Sequence, residues 1–82
     1  MKTLRLDIRK DKFFDVQRLE YRFHGDGLIG LRVSFHFKAN EYHEAKWDWG
    51  PWRRHAKLKR GTKAEDSQFY KDLKRKGYRE VI

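Results

Sequence analysis

The sequence contains no cysteine, which excludes disulfides, thiolate metal centres and a cysteine nucleophile together. Proline occurs once, at Pro51, so only one peptide is denied a backbone donor by its ring. No segment approaches the roughly 18 consecutive apolar residues of a membrane span. The start Met1-Lys2-Thr3-Leu4-Arg5-Leu6-Asp7 also lacks an apolar run of signal-peptide length. These absences lead to the expectation of a cytoplasmic protein with no membrane partner. Gly25, Gly27 and Gly30 precede a strand-like stretch instead of opening a helix, so no phosphate-cradling glycine loop is expected. Acids are missing from one long stretch: none stands between Pro51 and Ala64.

What is present is charge and aromatic surface. The 82 residues carry 21 Lys and Arg against 12 Asp and Glu, a net charge of +9. The excess is segregated: residues 1–51 hold ten basic and eight acidic side chains, residues 52–82 eleven and four. Such segregation sets up a local positive field that attracts anionic surfaces. A single small domain spanning 1–82 is expected, and a chain of this size buries only about 60–65% of its unfolded surface. Without staples it must rely on large side chains. Aromatics make up 16% of residues, each able to bury about 150–250 Å².

Periodicity points to strands first and a helix last. Leu4, Leu6 and Ile8 alternate with Arg5, Asp7 and Arg9, and Leu19, Tyr21 and Phe23 with Arg18, Glu20 and Arg22. Each pattern has the period of two of a half-buried strand. A polar turn at Lys10-Asp11-Lys12 separates them. His24-Gly25-Asp26-Gly27 is a hairpin turn, and Ile29, Leu31, Val33, Phe35 and Phe37 then form the longest alternation, the expected central strand. Gly30 inside it marks a bulge or a close backbone approach. A strand over Tyr42–Trp49 is expected to end at Gly50-Pro51. The residues from Trp52 alternate like a strand returning from that turn. Thr62-Lys63-Ala64-Glu65 fits a capping box, and Phe69, Tyr70 and Leu73 lie at helical spacing, so a helix is expected over 63–76 with Gly77 past its end. Tyr78–Ile82 is expected to form a short edge strand or a docked tail. The fold class is therefore α+β: an antiparallel sheet of four to five strands, a meander or small barrel, with one C-terminal helix.

The densest chemistry lies in Trp47–Lys63. Trp47, Trp49 and Trp52 fall within six residues, and Arg53, Arg54, Lys57, Lys59, Arg60 and Lys63 follow within eleven. Stacking surface beside unpaired cations, with His55 among them, suits nucleic acid, DNA or RNA, bound through its phosphates. Trp52, beyond the turn, is the indole expected to be exposed. Lys71, Lys74 and Arg75 share one side of the expected helix and are expected to bracket a groove with the basic segment.

An acidic face on a larger protein is the alternative partner, since Trp, Tyr and Arg dominate interface hot spots. A third reading is a small ribonuclease with His55 and Tyr70 as acid and base, although no catalytic motif is matched. The four histidines show no metal spacing, and neither a metal nor another cofactor is expected. Exposed strand edges are compatible with a monomer or a homodimer.

Overall fold

Period-two alternation carries the amino-terminal half into three long antiparallel strands: β1 (Lys2–Arg9), β2 (Val16–Phe23) and β3 (Leu28–Phe37). These are seen in a computed structural model that describes residues 1–9 and 14–81; the turn expected at Lys10–Lys12 lies outside that range. The β2–β3 hairpin closes as its residues dictate. Gly27 takes the left-handed conformation (φ 92°) and donates to the His24 carbonyl at 3.0 Å, while the Asp26 carboxylate accepts from the Leu28 amide at 3.0 Å. Glycine is free to adopt that φ, and Asp bonds its own backbone two residues on.

Strand order is β4-β3-β2-β1-β6, with β4 (Lys46–Asp48) and β6 (Arg79–Glu80) at the two edges. A sixth strand, β5 (Arg53–Lys57), also pairs with β3. β4 lies along Phe35–Phe37 and β5 along Leu28–Leu31. The chain after Pro51 therefore does not return against β4 as a new hairpin; it resumes pairing further along the same edge of β3. Gly50 makes this possible. Any Cβ there would collide with the Val33 carbonyl oxygen, and the Gly50 amide donates to Ser34 Oγ at 3.2 Å. Backbone passes against backbone where no side chain fits, and Pro51 needs no ladder partner.

The helix is shorter than its sequence pattern suggests. Ala64–Asp66 form a 3-10 turn and α1 spans Gln68–Arg75. Its cap is Ser67, not Thr62: Ser67 Oγ accepts from the Tyr70 amide at 3.1 Å and donates to the Ala64 carbonyl at 2.8 Å. Ser67 itself is extended (φ −75°, ψ 144°), which interrupts any helix begun at Lys63. Glu65, needed for the capping box, reaches instead to Lys2 at 3.1 Å. Gly77 ends the helix with φ 102°, and β6 then pairs with Leu4 and Arg5.

The sheet has two unlike faces. On the helix face, Leu4, Phe23 and Ile29 are buried with Tyr70, Leu73 and Tyr78, flanked by Leu6, Leu19, Tyr21, Leu58 and Phe69. The register sets this directly, pairing Leu4 with Tyr21, Tyr21 with Leu31, and Phe23 with Ile29. The alternate residues of the same strands make the open face. Among the described residues, no helix is long and apolar enough to cross a membrane.

Candidate functional site

The open face is built from residues that the alternation turns away from the core: Arg5 and Asp7 on β1, Arg18, Glu20 and Arg22 on β2, and Gly30, Arg32, Ser34 and His36 on β3. Register places Arg5, Glu20 and Arg32 side by side across three strands. Glu20 is only 2% exposed. Arg5 donates to its Oε2 from Nε (3.3 Å) and Nη2 (3.0 Å), and Arg32 to its Oε1 from Nε (3.0 Å) and Nη2 (2.8 Å). Burial pushes the Glu20 carboxyl up, and the hydrogen bonds and charges of Arg32 and Arg5 more than offset it, leaving the group below its ordinary value. Arg18 grips Asp7 at 2.8 and 3.0 Å, and that bond holds the Asp7 carboxyl down. His36 Nδ1 lies 2.7 Å from Asp15 Oδ1, whose carboxyl is likewise lowered by the imidazole.

The three tryptophans lie over this ionic layer. Trp47 pairs with His36 in the ladder, so Trp47 and, two residues on, Trp49 share the open face. Their rings are stacked at 4.7 Å with 16° between planes. Trp52 reaches the same face by lying over Gly30, where no side chain stands in its way. The arginines interleave with the indoles. The Arg22 guanidinium is 3.8 Å from the Trp52 ring, that of Arg32 is 4.6 Å from Trp52 and 5.0 Å from Trp49, and that of Arg18 is 4.2 Å from Trp47. The result is a ladder, Arg22–Trp52–Arg32–Trp49–Trp47–Arg18, in which each ring meets a cation or another ring.

This ladder changes the role expected of Trp52. It is half-buried beneath two guanidiniums, and Trp49, at 49% exposure, is the most open indole. The cause is Gly30, which gives Trp52 a floor to lie on.

The basic segment stands at the margin between the faces. All five residues of β5 are exposed. Beyond it, the Leu58 amide donates to the Gly27 carbonyl at 2.8 Å, and a turn closed by the Thr62 amide on Lys59 (3.0 Å) carries Arg60 and Gly61 outward. Arg53, Arg54, Lys57, Lys59, Arg60 and Lys63 are exposed, and among the described residues none makes an ion pair. Glu65 and Glu80 are taken by Lys2, whose ammonium is raised by both bonds, and Asp72 by Arg75. Asp26 accepts from the Leu28 amide, which together with the charge of Lys57 holds its carboxyl down. Lys57, Arg60 and Lys63 rim an open hollow of about 780 Å³ whose wall includes Phe23, Asp26 and Leu58.

One expected grouping does not form. The β3–β5 register slips between Ile29 and Gly30, and the extra residue, His55, turns to the helix face. Its ring stacks on Phe69 (5.3 Å, 20°) and meets the edge of Tyr21 (5.3 Å, 73°). Tyr70 packs instead on Phe23 at 5.5 Å, with burial pushing its hydroxyl up, so His55 and Tyr70 do not make an acid–base pair. Lys71, Lys74 and Arg75 are exposed on α1, which packs on the helix face. The sheet lies between them and the tryptophans.

Arg5, Arg18, Arg22 and Arg32 are the functional candidates that sequence reasoning passed over. Their alternation with Glu20 and Asp7 was visible, but a solvated polar face has the same pattern. Among the described residues, no cluster of three His, Cys, Asp or Glu side chains is placed to hold a metal. Comparison with protein-family models, with curated proteins and with solved structures found no match.

Proposed function

We propose that the protein is a cytoplasmic nucleic-acid-binding protein that grips the phosphate backbone along β5 and the loop after it. The observation that carries this reading is charge left uncompensated. Six exposed cations from Arg53 to Lys63 have no carboxylate partner within ion-pair distance among the described residues, and Glu65, the acid next to Lys63 in the hollow, is bound by Lys2. Such a strip binds phosphates by counterion release and carries no sequence information itself. The ladder supports it from beside. Its indoles mostly face one another and the arginines, so they stiffen the open face; Trp49 adds one stacking contact worth about 1–3 kcal/mol.

Fluorescence anisotropy with labelled single- and double-stranded DNA and RNA, across a salt series, tests the proposal. With about six phosphates neutralised, log affinity is expected to fall against log salt with a slope of about −4 to −5. The triple substitution Lys57→Ala/Lys59→Ala/Arg60→Ala should flatten it by about 2–3. Binding that is absent at low salt, or indifferent to salt, overturns the reading.

The second reading is an acidic protein face. Tyr42 at 85% and Trp49 at 49% exposure favour it as aromatic anchors. A stoichiometric protein partner that survives nuclease treatment, together with no nucleic-acid binding, would establish it in place of the first.

A further inference from the structure

Of the three guanidiniums in the ladder, two are neutralised: Arg18 by Asp7, and Arg32 by the Glu20 it shares with Arg5. Among the described residues Arg22 has no carboxylate partner. Its Nε is the one buried side-chain nitrogen or oxygen among the described residues that lacks a hydrogen-bond partner. A buried donor in that condition is costly unless an acceptor is supplied, and the more so for a charged group. The neighbours in register do not supply one. Arg22 lies opposite Thr3 on β1 and Gly30 on β3, and beyond Gly30, over which the Trp52 ring lies, the next residue in register is Arg54, another cation without an ion pair among the described residues. Meanwhile Trp52, 3.8 Å from the guanidinium, fixes where that charge sits.

A guanidinium held in place and backed by an indole, with a second cation across a glycine and no acid in the row, is arranged to receive an anion. We propose that Arg22 and Arg54 form an oxyanion subsite on the open face that takes a phosphodiester oxygen. The planar donor fork of Arg22 suits two oxygens of one phosphate. This deepens the nucleic-acid reading and rests on it for the source of the phosphate: the backbone gripped along β5 would cross the sheet margin beside Trp52 and seat one phosphate on Arg22. The subsite itself is tested without nucleic acid.

The experiment is NMR of the arginine Nε–H groups of the intact protein, titrated with dimethyl phosphate, with inorganic phosphate, and with chloride as control. The Arg22 resonance is expected to move saturably with dimethyl phosphate and not with chloride, while Arg32, held by Glu20, stays in place. Movement with inorganic phosphate alone would overturn the diester assignment. In the anisotropy assay, Arg22→Gln should flatten the salt slope by about 0.7–0.9, one phosphate contact, and Arg22→Lys by less. If dimethyl phosphate moves Arg22 but no oligonucleotide binds, the subsite stands and the nucleic-acid reading fails. If oligonucleotides bind while Arg22 is unmoved and its Gln variant keeps the full slope, the subsite is overturned and the β5 reading stands.

Discussion

Trp52 closes over Gly30: the indole Cε3 lies 3.4 Å from where a Cβ on residue 30 would stand. A glycine inside a strand ordinarily costs about 0.5–1 kcal/mol, and here the vacancy is filled by a ring that two arginines then cover. An alanine methyl would only touch the indole, whereas branched carbons would occupy its place. Gly30→Val is therefore expected to lift Trp52 off the sheet, shift tryptophan emission to the red and lower stability by about 1–2 kcal/mol. Gly30→Ala should change both far less. Unaltered emission in the valine variant would mean that the ladder does not depend on this contact.

Glu20 is the ionic centre of the open face, and its chemistry sets an acid limit on the fold. Its carboxyl titrates below the ordinary value in the folded chain and near about 4.3 when unfolded. As pH falls, the unfolded chain takes up the proton first, so the stabilisation is full above about pH 4.3 and is lost as pH drops through the lower folded value. Glu20→Gln removes the charge that Arg5 and Arg32 share, and should cost about 2–4 kcal/mol at neutral pH, since those arginines keep some solvent. It should also weaken the acid dependence. Urea midpoints measured from pH 7 to pH 3 in both proteins check this. An equally steep acid loss in the variant would assign the effect to other carboxylates, such as Asp7 and Asp15, which are also lowered.

Helix capping offers a cleaner contrast. Ser67 Oγ both accepts from the Tyr70 amide and donates to the Ala64 carbonyl, so Ser67→Ala should lower stability by about 1 kcal/mol. Thr62 makes no cap, and Thr62→Ala should fall within about 0.5 kcal/mol of the parent. Thermal melts of the two variants decide it. The reverse order would restore the longer helix that the Thr62–Glu65 pattern suggests.

Those capping residues also show where sequence legibility ends. The period of two over Leu4–Ile8, Leu19–Phe23 and Ile29–Phe37, with Asp26-Gly27 between, was enough for three strands, one hairpin and the sheet's apolar face, because those signals are local. Glu65 was misread because its partner, Lys2, comes from the other end of the chain. Gly50-Pro51 reads as a turn in any strand; only the Val33 carbonyl, against which Gly50 passes, explains why the chain resumes along β3. The ladder is harder still. Arg18, Arg22 and Arg32 are spaced like any solvated strand face, and their meeting with Trp47, Trp49 and Trp52 depends on register across three strands. Arg53–Lys63, in contrast, was legible as a candidate because an acid-free run needs no register to be unpaired.

The placement of cations on two sides of the sheet makes a last prediction. Lys71, Lys74 and Arg75 lie on α1, over the helix face, and Arg75 is already within 3.5 Å of Asp72. Lys57, Lys59 and Arg60 line the hollow beside the turn at residues 25–27, at and past the end of β5. If a backbone follows β5 and turns onto the open face, the helical cations act on it only through the screened field, over distances comparable with the Debye length of about 8 Å at physiological salt. Substituting Lys71, Lys74 and Arg75 together by alanine should then weaken low-salt binding modestly and flatten the salt slope by less than about 1, against about 2–3 for Lys57, Lys59 and Arg60. Parallel salt titrations of the two triple variants make the comparison, since each removes three positive charges and any difference reports position. Equal losses would mean that the bound chain wraps both faces or that net charge alone holds it, and β5 would lose its special place.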